Sequence, residues 1–259
     1  MRFLDRRHGG RLLAERLEPF REQRPIVLGL ARGGVPVAAE VARALGAPLE
    51  VMVVAKLGAP ECPEYALGAI AEGGASYVDL DAMREAEVDE DELATLAERR
   101  AGEVARRVAL YRGGRALPDV AGRTVLVVDD GVATGASARA AARAARERGA
   151  DRVVLAAPVI AAGSVPELLA DFDDVVAVET PEPFLAVGIW YERFGQVPDD
   201  EVLGCLPLER EACEGGERLE PEPSPPSLEE QALAIPPPAA PLRDGERGGS
   251  RRTRRPRPR

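Results

Sequence analysis

Two adjacent carboxylates, Asp129 and Asp130, end the apolar run Val125 to Val128 and are followed by Gly131-Val132-Ala133-Thr134-Gly135-Ala136-Ser137, where a helical pattern begins. An apolar strand of this kind is buried on both faces and delivers its last side chains to the carboxyl edge of a parallel sheet, where open α/β sheets bind ligands. The small side chains of Ala133, Thr134, Gly135, Ala136 and Ser137 let backbone N–H groups crowd around a phosphate at the positive helix end, and the hydroxyls of Thr134 and Ser137 add donors. Carboxylates cannot hold that phosphate. They suit vicinal hydroxyls and, through water, Mg²⁺, so the segment matches a sugar with a phosphate at one end and hydroxyls in the middle. A P-loop is excluded because no lysine follows the glycines. A phosphoacceptor receiver is excluded because the one lysine, Lys56, precedes the aspartates. A merely capped turn is the alternative, since Asp, Gly, Thr and Ser all favour turns.

A second loop, Leu28-Gly-Leu-Ala-Arg-Gly-Gly-Val-Pro36, ends another apolar strand and opens another helix. Gly33 and Gly34 permit unusual backbone angles and close approach, and Arg32 offers a planar fork of donors for diphosphate oxygens. Lys56 is read as the end of the next strand and the start of a loop running to Glu64, rich in Gly, Pro and charge, that could cover the site. Its ammonium could neutralise charge on a departing anion, or it could be a solvated surface lysine. Phe184, Trp190, Tyr191 and Phe194 gather after the last strand, where Phe184 or Trp190 could stack on a flat acceptor or pack in the core. His8 lies in a polar N-terminal segment and reads as a surface residue.

The elements that must position these groups alternate. Ile26 to Leu30, a helix from about Val35 to Leu45, and Leu49 to Val54 make one βαβ unit. Val125 to Val128, a helix from Ala136 to Arg148, Val153 to Ala157, a short helix near Pro166 to Ala170, and Val175 to Val178 continue the pattern. The expectation is an α/β protein with a doubly wound, mostly parallel sheet and flanking helices. Ala66 to Ile70 and Ser76 to Val78 flank Gly73-Gly74 as an inserted hairpin, followed by a charged amphipathic helix from Asp89 to Tyr111.

The 259 residues are 45% hydrophobic and 30% charged, which supports a real core. No run is long and apolar enough for a membrane span, and the N-terminus lacks an export signal, so a cytoplasmic location without membrane partners is expected. Cys62, Cys205 and Cys213 form no metal or disulfide pattern. The net charge of −10 sits entirely before residue 211, because Glu211 to Arg259 contains equal numbers of acidic and basic residues. So acidic a body is a poor nucleic-acid binder, and phosphate binding there must use local devices. Residues 1–209 are therefore expected to form the working domain. Residues 210–259, rich in Pro, Glu and Arg, are expected to be a disordered tail, whose last nine residues carry six arginines that could touch anionic surfaces or RNA but read more simply as solvated.

Over thirteen consecutive positions, Val125 to Ser137 resembles the phosphoribosyl-diphosphate (PRPP) binding motif of the type I phosphoribosyltransferases, including a bacterial subgroup without assigned acceptors. Gly131 departs from that family's usual apolar residue. The resemblance implies that Asp129 and Asp130 hold the ribose hydroxyls and, indirectly, Mg²⁺, and that Ala133 to Ser137 hold the 5′-phosphate. It implies that Arg32, Gly33 and Gly34 take the diphosphate, Lys56 assists from a lid, and a small hood completes the site with Phe184 or Trp190 at the acceptor. The implied activity is transfer of phosphoribosyl from PRPP to a nitrogen acceptor, as in nucleotide salvage, by a homodimer. Ala133 replaces the aspartate of enzymes for 6-oxopurines and points away from those bases. Two other functions stay open: a PRPP-sensing regulator that does not catalyse, and an α/β nucleotide binder unrelated to PRPP.

Overall fold

The computed structural model describes residues 2–63, 65–113 and 115–206. The tail expected over 210–259, with Cys213, and Glu64 of the expected lid lie outside the described residues. In chain order the elements are α1 (Arg6–Leu17), β1 (Ile26–Leu30), α2 (Gly34–Leu45), β2 (Leu49–Met52), β3 (Val54–Gly58), β4 (Ala66–Ala71), β5 (Ser76–Val78), α3 (Leu80–Glu85), α4 (Glu90–Arg112), β6 (Thr124–Val128), α5 (Ala136–Glu147), β7 (Arg152–Val159), α6 (Val165–Asp171), β8 (Asp174–Glu179) and α7 (Asp199–Cys205).

Five strands pair in parallel in the order β2-β1-β6-β7-β8. Alternate residues divide between two cores: Val27, Leu126, Val128, Val154 and Ala156 pack with α1 and α2, while Ile26, Leu28, Val125, Val127 and Leu155 pack with α5. Coverage on both faces is why these strands read as unbroken apolar runs. The winding direction reverses between β1 and β6, so their carboxyl ends flank the crevice where such sheets bind ligands.

The structure departs from the sequence reading after β2. The expected strand Leu49 to Val54 is two strands: β3 leaves the parallel sheet and pairs antiparallel with β4, which pairs with β5. Lys56 therefore sits inside β3, opposite Ala69, rather than at the head of a loop. The apolar run from Leu49 to Ala55 has no glycine or proline to mark the change of partner. Helix α4 begins at a capping box formed by Asp89 and Glu92 and ends at Gly113 in the left-handed conformation, φ 56°. Helix α1 was not apparent as a helix. Among the described residues no helix is long and apolar enough to cross a membrane.

Candidate active site

The carboxyl end of β6 places Asp129 and Asp130 at the mouth of the crevice. The Asp130 amide donates to Asp129 Oδ1 at 2.8 Å, and the Asp130 carboxylate accepts from Arg6 Nε at 2.7 Å. Arg6 reaches in from α1, lies 3.9 Å over the Phe194 ring and donates to the Gly195 carbonyl at 2.8 Å. The Tyr191 hydroxyl donates to the Asp130 carbonyl. An N-terminal helix and the segment 191–195 thus converge on one carboxylate; the sequence shows the aromatics of that segment but not the helix, nor that both meet Asp130.

The Arg32-Gly33-Gly34 loop packs directly on this pair. A Cβ on Gly33 would lie 2.1 Å from Asp130 Oδ2, and one on Gly34 would lie 2.5 Å from the Val128 carbonyl. Gly33 has an ordinary helical φ of −61°, so close approach alone requires glycine there, not an unusual backbone angle. Gly131 has the same origin: a Cβ there would meet Val187 Cγ1 at 2.3 Å, which accounts for its departure from an apolar residue. Gly135 does need its special conformation, φ 82°, to turn the chain into α5.

A cavity of about 470 Å³ opens over the aspartates, within the size range of small-molecule sites. A smaller cup of about 80 Å³ adjoins it, formed by Gly131 to Ala138 with Lys56 and Asp129. Ala133, Thr134, Gly135, Ala136 and Ser137 all line this cup. The N-terminal amides of α5 and α2 receive no side-chain cap, whereas α1, α3 and α4 are capped by Asp5, Asp79 and Asp89. Uncapped helix N-termini at a crevice are anion donors.

The remaining expected residues divide. Lys56 lines both cavity and cup, and its charge acts on both aspartates. Ala31 lines the cavity, but the Arg32 guanidinium turns toward Asp199 of α7, 3.8 Å away, whose carboxylate also accepts from the Tyr111 hydroxyl. Phe184 and Trp190 are not brought to the cavity: they pack with Phe3, Val159 and Tyr191, because the 3-10 turn Val187–Trp190 folds the indole back on the N-terminus. Val187 and Phe194 line the cavity instead, as do Arg100, Glu103 and Arg107 of α4.

Burial, then repulsion from Asp130, pushes the Asp129 carboxyl up to about 8, and burial also raises Asp130 against the pull of Arg6. The folded pKa of Asp129 thus lies above its unfolded value, so its contribution to stability is fully present below the ordinary aspartate range and is lost as pH rises through about 8. The ligand-free protein is expected to melt at falling temperature from about pH 6 to about pH 9, with a shallower fall in Asp129→Asn. Parallel melting curves for both proteins would show no link to the pair.

A family model described as a phosphoribosyl transferase domain matches residues 4–189. A Mycobacterium tuberculosis (strain ATCC 25618 / H37Rv) protein named "Putative phosphoribosyl transferase Rv0571c" is 43% identical over 234 residues, 90% of this chain and 53% of the relative. Its counterpart in strain CDC 1551 / Oshkosh, MT0597, has the same identity and coverage. This chain spans about half the length of these curated relatives. Among solved structures, TT1426 from Thermus thermophilus is 47% identical with a TM-score of 0.67, covering 80% of this chain and 98% of that one.

Proposed function

The chain belongs to the phosphoribosyl transferase domain family, and from that membership and the crevice geometry we propose that it transfers 5-phosphoribosyl from PRPP to a nitrogen acceptor with release of diphosphate. The observation that carries this reading is two cavities that share Lys56, Asp129, Gly131, Ser137 and Val187 in their linings, the smaller at the uncapped N-terminus of α5 and the larger over the Asp129–Asp130 pair, against which the Gly33-Gly34 loop packs. Phosphate, ribose hydroxyls and diphosphate each find matching chemistry in that order.

In this reading the acceptor nitrogen forms its bond to C1 as the C1–oxygen bond to diphosphate breaks. The bonding pair leaves on diphosphate, and the acceptor proton goes to solvent. Ala133 to Ser137 anchor the 5′-phosphate, so the ribose is held in register with the aspartates. Asp129 and Asp130 accept from the ribose hydroxyls, and Lys56 places a positive charge beside the phosphates. Val187 and Phe194 help keep the reacting carbon dry. The donor set suits Mg²⁺: two carboxylates are hard oxygen ligands, and no third Asp, Glu, His or Cys among the described residues gathers with them, in keeping with an ion shared with substrate phosphates and water. Such an ion would neutralise charge on the leaving diphosphate.

The test is diphosphate release from PRPP and Mg²⁺ with pooled purines, pyrimidines and small amines. Release that needs one pool supports a transferase and starts to name its acceptor. Tight PRPP binding without release from any pool would instead make the protein a sensor. A finer check uses Gly33→Ala, whose methyl must push the Asp130 carboxylate off Arg6. Its φ suits alanine, but moving a buried carboxylate off its arginine costs stability, so the melting temperature is expected to fall, and affinity for ribose 5-phosphate, measured well below the melting transition, is expected to fall about tenfold. Unchanged affinity would remove the ribose role of Asp130.

A further inference from the structure

In the cavity that Asp129 and Asp130 line, α4 presents a charged face. Arg100, Glu103 and Arg107 follow one another at helical spacing and all line it. Glu103 Oε2 accepts from Arg100 Nη1 at 2.8 Å, and Arg107 Nη2 lies 2.6 Å from Glu103 Oε1. The hydrogen bond from Arg100 is the main cause that holds the Glu103 carboxyl below its usual range, so it stays ionised. One carboxylate between two guanidiniums leaves an excess positive charge on the wall, fixed in direction by the shared partner.

The position of that charge selects its ligand. The small cup at the start of α5 is lined without α4, so the terminal phosphate is not the partner. The cavity wall that α4 does share includes Leu30 and Ala31, the entry to the Arg32-Gly33-Gly34 loop. Tyr111, one turn after Arg107, donates to Asp199, whose carboxylate lies 3.8 Å from the Arg32 guanidinium, so this end of α4 also meets the residue that Arg32 reaches. Arg32 itself is directed to Asp199, so the side chain expected to meet diphosphate is engaged elsewhere. A polyanion seated near Asp129 and Asp130 needs cations nearby, and α4 presents them.

We propose that Arg100 and Arg107, braced by Glu103, bind the diphosphate group of the donor within the cavity that the aspartate pair also lines. This inference rests on the PRPP reading of the cavity. It gives the inserted helix a task in the chemistry: holding the leaving group in line while the 5′-phosphate is fixed at the far end.

The experiment measures, by calorimetry, the binding of inorganic diphosphate with Mg²⁺ and, separately, of ribose 5-phosphate. The proteins are wild type, Arg107→Gln, the double variant Arg100→Gln/Arg107→Gln, and Arg107→Lys. Diphosphate affinity is expected to fall about tenfold for each guanidinium removed, while ribose 5-phosphate affinity stays within about twofold. Arg107→Lys is expected to fall in between, keeping charge without the fork, and it serves as the folded control if a glutamine variant melts early. Diphosphate affinity unchanged in the double variant, equal losses for both ligands, or no diphosphate binding by wild type would each overturn the inference. Failure of wild type to bind ribose 5-phosphate would overturn the PRPP reading separately, even if diphosphate binding still followed the arginines.

Discussion

Asp130→Asn is expected to lower PRPP turnover by about 10²-fold or more while leaving the melting temperature equal to or above that of wild type. The two effects have one cause. Asp129 and Asp130 are adjacent, buried and mutually repulsive, and burial raises both carboxyls, Asp129 to about 8, despite Arg6 and Lys56. Neutralising one removes that repulsion from the folded state. The asparagine carbonyl can still accept from Arg6 Nε, now 2.7 Å from Oδ2, and Arg6 keeps its Phe194 and Gly195 contacts. In the proposed reaction the donor would lose a charged acceptor for its ribose hydroxyls where positive charge grows at C1, an interaction that strengthens toward the transition state. The check pairs the diphosphate-release assay with melting curves. Turnover within about threefold of wild type would show that Asp130 is not part of the chemistry, and a collapse in melting temperature would show that its charge supports the fold instead.

The parallel sheet and the segment from Asp129 to Ser137 were legible because each signal is local. Strands buried on both faces are continuous apolar runs, and a phosphate loop must be small, glycine-bearing and followed at once by a helix. Helix α1 was not legible because its stabilisation is tertiary. Its sequence carries Gly9 and Gly10, which argue against a helix, yet a Cβ on Gly9 would lie 2.9 Å from Pro158 Cγ and one on Gly10 would lie 2.8 Å from the Val37 carbonyl. The glycines are there so that α1 can press against α2 and β7, and that contact aims Arg6 at Asp130. The same limit hid α4's part in the site. Arg100, Glu103 and Arg107 share a charged helical face, which in sequence is indistinguishable from a solvated one. Only the turn of β3 into the second sheet, unmarked by any breaker, brings that face over the cavity. Aromatic composition does not separate these residues: Phe184, Trp190 and Phe194 all join the cluster around Phe3, Val159 and Tyr191, and of the three Phe194 also lines the cavity, with the Arg6 guanidinium over its ring.

What holds α4 in place gives the second large effect. Its last residue, Arg112, donates from Nη1 to Glu72 Oε1 at 3.0 Å, with a second contact from Nη2 to Oε2, and both residues are only 4% exposed. Glu72 lies at the turn between β4 and β5, where its amide also bonds the Val53 carbonyl at 3.0 Å, so the pair fastens the end of α4 to the point where the chain changes sheets. Arg112→Met is expected to cost about 3–5 kcal/mol, because it strands a buried carboxylate rather than merely removing an attraction. For a domain of this size that is a fall in melting temperature of about 6–20 °C. Burial already raises the Glu72 carboxyl even with Arg112 beside it, so its charged form is penalised as pH rises through that raised value. Without Arg112 the penalty grows, and the deficit of the variant is expected to shrink as pH is lowered and Glu72 takes up a proton. Replacing both members, Glu72→Met with Arg112→Met, is expected to recover most of the loss, since neither charge is then left alone. If Arg112→Met melts within about 2 °C of wild type at neutral pH, the pair does not anchor α4. The Arg100–Glu103–Arg107 wall must then be positioned by the apolar face of the helix, Val104 and Tyr111 against β3, without help from its charged end.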